Sequence, residues 1–396
     1  MPKTTRTALA VLLIFVLLQS CRRAPEGLSV SFVGDIIMHI PVKSCARLND
    51  IPSGNPGESA NNGGFDYLFE LIAPRLLTAD ITLGNLEFPV SAPFESRPYV
   101  FNCRPEVLGA LKKAGISLVT IANNHILDQG IAGALETLEH LKRYGIRYVG
   151  GGPSMEEAAA GYVFQKNGIR VGLIACTGVV NTAFPRASSR FYLNNFYKKE
   201  LMLEQIDAMK ARADFIVMSV HAGAEYVTVP LAADAALMRE YGEHGADLII
   251  GHHPHVLQRV DRFTAADGRM YHIFHSLGNF ISNQSSEHAI GAATALSTRD
   301  SAIVTLFLER HDRSIRPRFE IVPIRTVNEI VRHRSGRMFR SIRPVAIADE
   351  INALRAKTSA AIADDETARR LIVRMEVIKK ALLSNRTIDT IHFADH

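Results

Sequence analysis

Seven polar residues of this chain each follow a short apolar run, and their side chains are of the types that bind metal ions. They are carboxylates, an amide and imidazoles, which are the groups that hold Mn, Fe or Zn in proteins. Two such ions about 4 Å apart can hold a phosphoryl group and generate hydroxide from water. The seven residues are Asp35, Glu87, Asn124, His125, His221, His253 and His255.

Each of these residues has an ordinary structural explanation when it is taken alone. A single Asp35 after a strand is often a turn or helix cap, and the Asn-Asn-His segment 123–125 can form a turn. The His-His-Pro-His run 252–255 is more specific for a metal. The joint pattern, in this order along the chain, favours one metal-dependent hydrolytic site over seven separate structural roles.

Short apolar runs alternate with amphipathic segments, and this alternation predicts an α/β protein with a largely parallel sheet. Because the carboxyl ends of parallel strands lie along one edge of a sheet, we expect the seven side chains to converge on one cleft. Residues 302–309 and 318–323 are predicted to form a later hairpin, and helical patterns begin near residue 345.

The motifs around these residues resemble those of the CapA-type family, the poly-γ-glutamate capsule synthesis proteins, within the calcineurin-like metallophosphoesterase superfamily. The resemblance runs from about residue 30 to residue 283 and does not cover the tail after about residue 334. Six motifs occur in family order. They are 32–35 (FVGD), 84–87 (GNLE), 122–125 (ANNH) with Asp128 and Gly130, 220–226 (VHAGAEY), 251–258 (GHHPHVLQ) and 276–280 (SLGNF).

The resemblance implies a four-layer α/β/β/α sandwich that carries one or two divalent transition-metal ions, Mn, Fe or Zn. By the same resemblance, Asp35 would bind the first metal, and Asn124 and His221 would bind the second. His253 and His255 would divide between the two metals.

Four further positions bear on this expected site. Glu87 stands where the superfamily usually has a bridging Asp, and His125 would lie off the metals, polarising the phosphoryl oxygen or protonating the leaving group. Ile37 departs from the superfamily, which has a His there, so a single metal ion is the alternative to two. Glu225 either orients His221 or is an exposed residue.

The N-terminus is typical of an exported protein. Lys3 and Arg6 precede an uncharged apolar run, residues 8–18, which is too short to span a bilayer and fits a signal peptide. The residues up to Cys21 resemble a bacterial lipoprotein signal, although Gln19 departs from the usual small residue. An ordinary cleaved signal peptide is the alternative, and both place the mature protein outside the cytoplasm, at the cell envelope.

These observations predict four segments. They are a lipoprotein signal peptide at 1–20, a tether at 21–27, the CapA-type metallophosphoesterase-like domain at 28–335 and a helical C-terminal extension at 336–396.

Composition and cysteine content do not indicate a nucleic-acid-binding protein or a disulfide-rich one. The 396 residues include 45 Lys and Arg against 40 Asp and Glu, a net charge of +5 that gives no indication of nucleic-acid binding. After Cys21, three cysteines remain, so there is no complete disulfide framework. Cys176 is predicted as a buried thiol, and pairing of Cys45 with Cys103 is left open.

Two functions fit the sequence. The first is capsule biosynthesis with a metal-dependent phosphoester hydrolase site. The second is a non-catalytic factor that keeps the fold and binds an anionic polymer during assembly or export. The partners implied are a phosphoester or anionic polymer, the membrane through a lipidated Cys21, and a capsule-synthesis membrane complex.

Replacement of Cys21 tests the anchor. Cys21→Ala should release the protein from the membrane fraction or block its maturation, because the lipid would be attached to the Sγ atom of that residue. Fractionation followed by immunoblotting measures the distribution. Unchanged membrane attachment of the variant would rule out lipid anchoring at this position.

Overall fold

The computed structural model describes most of the chain. The predicted signal peptide and Cys21 lie outside the described residues, as does the tether except for Gly27. The described residues are 27–54, 58–186, 188–284, 298–311, 314–333, 335–357, 362–384 and 388–394. Within these ranges, no helix is both long enough and apolar enough to cross a membrane.

The larger sheet has nine strands in the described part of the chain. Its first four strands in sequence are parallel to one another, and a long antiparallel hairpin with one further strand extends the opposite side. The order is β16 (Met338–Ala346), β15 (Ser314–Arg332), β14 (Asp300–His311), β1 (Gly27–Ile36), β2 (Ile81–Leu86), β3 (Ile116–Thr120) and β4 (Arg147–Val149), with β13 (Asn279–Ile281) beside β1 and β17 (Ile391–Phe393) beside β15.

The smaller sheet has six strands, of which the central four are parallel and the two edge strands antiparallel. Its order is β11 (Val260–Thr264), β12 (Met270–Phe274), β10 (Leu248–His252), β9 (Phe215–His221), β7 (Ile169–Thr177) and β6 (Tyr162–Lys166). A separate two-stranded ribbon pairs β5 (Gly151–Gly152) with β8 (Tyr192–Leu193).

Ten α-helices lie between these strands in the described residues, with one 3₁₀-helix at Asn62–Gly64. The α-helices are α1 (Ile40–Leu48), α2 (Asp66–Phe69), α3 (Ala73–Leu76), α4 (Glu106–Lys113), α5 (Gly130–Arg143), α6 (Met155–Ala160), α7 (Lys199–Lys210), α8 (Ala232–His244), α9 (Ile347–Lys357) and α10 (Ile362–Leu383).

Three apolar cores arrange these elements in four layers. One core lies between α1–α5 and the outer face of the larger sheet. A second joins the inner faces of the two sheets, and a third lies between the smaller sheet and helices α7 and α8. Alternate strand residues face opposite sides, so each sheet is buried on both faces. The predicted α/β/β/α sandwich is confirmed, with the larger sheet mixed rather than purely parallel.

The C-terminal segment contains the expected helices together with two strands. Strand β16 pairs antiparallel with β15, and β17 pairs parallel with β15. Apolar residues of α9 and α10, among them Ile351 and Ile378, belong to the core between the sheets. The guanidinium of Arg374 binds the Asp300 carboxylate at the start of β14. The described residues after 335 therefore pack on the sandwich, and the domain division at that point stays a prediction.

The three cysteines after Cys21 are free and buried. Cys176 lies in β7 with its side chain in the core against α7, as predicted. Burial raises the pKa of the Cys103 thiol to about 12, so this thiol stays protonated at neutral pH.

The buried His272 makes the free energy of unfolding depend on pH. It is fully buried, its Nε2 lies 3.0 Å from the Thr390 hydroxyl, and burial together with the Arg262 charge lowers its pKa from 6.5 to about 4. The unfolded chain binds this proton below pH 6.5 and the folded chain does not, so stability is full above pH 6.5 and falls as pH drops toward 4. Between pH 7 and 4.5, the unfolding free energy of His272→Gln should fall by about 2–3 kcal/mol less than that of the parent.

Urea denaturation in a chelator at both pH values measures this difference. His392→Gln, at an exposed position, is the matched control and should lose as much stability as the parent. Equal losses in all three proteins would contradict the assignment to His272.

Candidate metal centre

Strand ends from both sheets meet at one place between them. Asp35 lies at the end of β1 beside Asn85 at the end of β2, because the parallel pairing aligns these two residues. His221 ends β9 and His252 ends β10, and the pairing of these strands aligns them as well. The expected convergence at carboxyl ends occurs, but two facing sheets supply it rather than one.

Asp35 is the most fully bonded member of the cluster. Its carboxylate lies 2.8 Å from Asn85 Nδ2, 3.2 Å from His252 Nδ1 and 3.0 Å from His255 Nδ1, and it accepts from the His253 backbone N–H at 3.3 Å. Burial opposes the charge, but the hydrogen bonds from His252 and His255 outweigh it and hold the pKa of Asp35 well below its usual value. This carboxylate is therefore an anion.

Glu87 is equally buried and has fewer partners. Its Oε2 accepts from Asn85 Nδ2 at 3.0 Å, and its Oε1 has no hydrogen-bond partner among the described residues. Burial, followed by the nearby Asp35 charge, raises its pKa well above the usual value. A positive charge at this point would reverse that shift, because it would compensate both carboxylates.

Glu87 and His255 approach each other inside the cluster. His255 Nδ1 lies 3.0 Å from the ionised Asp35 and is its hydrogen-bond donor. The other ring nitrogen, Nε2, lies 3.7 Å from Glu87 Oε1, which has no hydrogen-bond partner among the described residues. This Glu87 oxygen is therefore available to a proton or a cation.

The loop after β10 holds its histidines in an uncommon backbone conformation. His253 has φ +96° and His255 has φ +59°, values in the left-handed region that non-glycine residues adopt infrequently. Burial, followed by the repulsion of His255, lowers the pKa of His253 to about 3. His253 Nδ1 lacks a hydrogen-bond partner among the described residues, so this side chain offers a neutral, unshared lone pair.

His221 and Asn124 form a pair across the two sheets. Asn124 Oδ1 lies 2.9 Å from His221 Nε2, and Asn124 Nδ2 donates to Asn181 Oδ1 at 3.1 Å. Burial, followed by the repulsion of His253, lowers the pKa of His221 well below its usual value. The ring is therefore neutral at physiological pH.

His125 lies beside this cluster with a carboxylate of its own. Its Nδ1 is 2.7 Å from Asp128 Oδ2, and its ring stacks on Phe101 with the centroids 4.1 Å apart. Asn181 Nδ2 is 3.2 Å from the same Nδ1 atom. The carboxylate and the stacked ring orient the imidazole, so that Nε2 remains for another partner.

A cavity of about 500 Å³ reaches the cluster from outside and is lined by His125, His255 and Glu225. His39 also lines this cavity. The Nδ1 of His39 accepts from the Asn283 backbone N–H at 3.1 Å, so this nitrogen is not a free ligand.

The donor set fits divalent metal ions. Two groups of three residues each bring one ligand atom within 4.8 Å of the others: Asp35, Glu87 and His221, and Glu225, His253 and His255. Glu87 Oε1 and His253 Nδ1 have no donor among the described residues, and a bound cation would satisfy both atoms.

All seven residues predicted from the sequence lie in this region and are at most 8% exposed. Sequence reasoning missed Asn85, His252 and Asn181 as members of the network, and it left Glu225 open. Asn85 and His252 both lie inside the quoted motifs, with Asn85 two residues before Glu87 and His252 directly before His253, so their positions at strand ends were an available signal. Asn181 lies in an irregular segment after β7 that carries no such signal.

Comparisons with known proteins show which family the chain belongs to. The family model of bacterial capsule synthesis protein PGA_cap matches residues 29–284. The capsule biosynthesis protein CapA of Bacillus anthracis is 31% identical over 319 residues, which cover 76% of this chain and 68% of that protein. The PGA biosynthesis protein CapA of Bacillus subtilis strain 168 is 29% identical over 304 residues, with 76% and 72% covered.

Among solved structures, NAD nucleotidase of Haemophilus influenzae superposes with a TM-score of 0.46 at 11% identity, covering 93% of this chain and 57% of that chain. No conclusion follows from a similarity at that level.

Metal binding should stabilise the fold. Mn²⁺ or Zn²⁺ at 100 times its Kd should raise the free energy of unfolding by about 2.7 kcal/mol, because the ion binds the folded state alone. His255→Asn should abolish most of this gain, and asparagine tolerates the left-handed backbone there, so strain does not explain the loss.

Denaturation with and without metal measures the gain, and His311→Gln, at an exposed position, controls for metal binding to surface histidines. Identical curves for the parent with and without Mn²⁺, Fe²⁺ or Zn²⁺ would show that the cluster binds none of them.

Proposed function

This chain belongs to the family of bacterial capsule synthesis proteins, and from that premise we propose that it is a metal-dependent phosphoester hydrolase that acts in capsule synthesis at the cell envelope. One observation carries the proposal: two groups of three buried or cavity-lining side chains each bring one potential ligand atom within 4.8 Å of the others. A non-catalytic polymer-binding surface has no need of such a cluster, whereas metal-dependent hydrolysis does.

The ligands proposed for the metal are Asp35, Glu87, Asn124, His221, His253 and His255, with Glu225 added from the geometry. A bound Mn, Fe or Zn ion would act as a Lewis acid on a phosphoryl oxygen and lower the pKa of bound water. The protein keeps the imidazoles neutral by burial, which is the form that binds metals. The cavity gives a substrate access to this side of the cluster.

The proposed role of His125 is general acid. In the hydrolysis, a water oxygen forms a bond to phosphorus, and the ester P–O bond breaks with its electron pair on the leaving alcohol oxygen. His125 gives that oxygen a proton from Nε2, and solvent returns to His125 the proton that the water has released. Asp128, 2.7 Å from Nδ1, holds the ring in the orientation that presents Nε2 and supports its protonated form.

Location at the envelope is part of the proposal and rests on the N-terminal sequence. A lipidated Cys21 would attach the protein to the membrane. The protein would then bind the phosphoester or anionic polymer outside the cytoplasm. A capsule-synthesis membrane complex is a further proposed partner at that location.

A second candidate function is supported by the relatives. Their names describe capsule and PGA biosynthesis and not hydrolysis, which favours a factor that binds an anionic polymer during assembly or export. Metal analysis of the purified protein together with a panel of phosphomonoesters and phosphodiesters separates the two. Absence of both bound metal and activity would favour the binding factor.

Two variants test the division of roles. His125→Ala should keep its metal and lose about 10²–10⁴-fold in turnover, because the leaving group would depart without a proton donor. Asp128→Asn should lose less, and the alkaline limb of its pH–rate profile should move to lower pH, because the protonated ring would lose its anionic partner. Metal analysis and steady-state kinetics measure both effects, with His333→Ala, at a position remote from the cluster, as control. Loss of metal in His125→Ala would show that this residue is a ligand.

A further inference from the structure

The side-chain amide of Asn85 lies at the centre of one of the two candidate metal groups. Its Nδ2 is 2.8 Å from Asp35 Oδ1, 3.0 Å from Glu87 Oε2 and 3.2 Å from His221 Nδ1. An amide has two N–H bonds, and here it faces three acceptors. Three acceptors around one point is the arrangement that ligands make around a cation, so the NH₂ group stands where a metal ion would.

The orientation of this amide is determined by its neighbours. Asn123 Oδ1 accepts from the backbone N–H groups of His125 and Ile126 at 3.1 and 3.0 Å, which directs Asn123 Nδ2 toward Asn85 Oδ1 at 3.0 Å. Rotating the Asn85 amide by 180° would bring two NH₂ groups together there and would turn an oxygen toward the carboxylates. The network therefore holds the donor end of Asn85 in the group.

Hydrogen bonding also determines which ring nitrogen of His221 carries the proton. Asn124 Nδ2 donates to Asn181 Oδ1 at 3.1 Å, so Asn124 Oδ1 faces His221 Nε2 at 2.9 Å and that nitrogen carries the proton. The lone pair of His221 is then on Nδ1, directed at the Asn85 amide. The Asn85 amide is thus within hydrogen-bond distance of all three members of this group, and Glu87 Oε1 is the one carboxylate oxygen of the group without a partner among the described residues.

In the other group, the Tyr226 side chain hydrogen-bonds Glu225, but one histidine nitrogen stays open. His253 Nδ1 has no hydrogen-bond partner among the described residues. Glu225 and His255 line the 500 Å³ cavity, whereas Asp35 and Glu87 are fully buried. A cation entering from solvent therefore meets Glu225, His253 and His255 first.

We infer that this centre holds a single divalent cation, bound by Glu225, His253 and His255, and that the Asn85 amide takes the place of a second cation among Asp35, Glu87 and His221. The inference rests on the proposed metal-binding function and specifies its stoichiometry. It also identifies Asn85 as the residue that decides between one ion and two. Replacing the NH₂ group by an anionic oxygen removes the shared hydrogen-bond donor from the second group and adds a negative charge, so that this group requires a cation.

The test is metal stoichiometry of the full chain saturated with Mn²⁺, measured by elemental analysis and by EPR. The parent should bind one equivalent and give the spectrum of an isolated Mn²⁺ ion. Asn85→Asp should bind two equivalents and give the spectrum of a coupled pair. Asn85→Ala, which removes the amide without adding charge, should take up a second, more weakly bound equivalent and serves if the aspartate variant does not fold.

Asn167→Asp adds the same charge at an exposed turn between β6 and β7 and should stay at one equivalent. Two equivalents in the parent would overturn the inference and leave the proposed hydrolase intact. Folded Asn85 variants that stay at one equivalent would overturn the role of the amide. A parent that binds no metal would refute the proposed function itself.

Discussion

Two carboxyl groups buried in one small region are the constraint on which the centre depends. Asp35 and Glu87 are both excluded from solvent, and their charges repel one another. Removing a carboxylate from water is costly unless hydrogen bonds or a cation compensate it. The surrounding residues divide this compensation unequally: Asp35 receives donors from His252 and His255, while one oxygen of Glu87 receives none.

The fold produces this arrangement because parallel strands of both sheets end beside the same point between the sheets. Close backbone contacts make that possible. A Cβ atom on Gly34 would lie 1.9 Å from the carbonyl oxygen of Gly278, and one on Gly251 would lie 1.9 Å from that of His275. Glycine at these two positions lets the segment between β12 and β13 close against β1 and β10. Asp35 and the histidine loop are thereby brought into hydrogen-bond distance across the two sheets.

The same geometry separates an inner and an outer part of the centre. The Asn85 amide lies between the members of the inner part, and the outer part opens on the cavity beside His125 and its partner Asp128. In the proposed reaction, the outer part meets the substrate, and the inner part holds the ring of His255 through Asp35. The neutral amide also reduces the charge that the interior must accommodate when no ion is bound.

The sequence by itself indicated the α/β class, many of the strands and the seven residues that the structure brings together, because these are encoded locally by apolar runs and by polar residues at the ends of those runs. The four layers were implied by the resemblance to a known family. The sequence indicated Glu87 and the histidines of the loop after β10 correctly as neighbours of Asp35. It did not predict β16 and β17 in a tail that shows helical periodicity, since edge pairing depends on β15 far away in the chain. Only the tertiary structure decided that Asn85 rather than a carboxylate lies between Asp35 and His221 and that Asn181 directs the Asn124 amide. Those contacts join residues 50 to 136 positions apart, and the direction in which an amide points is set by partners that no local pattern reveals.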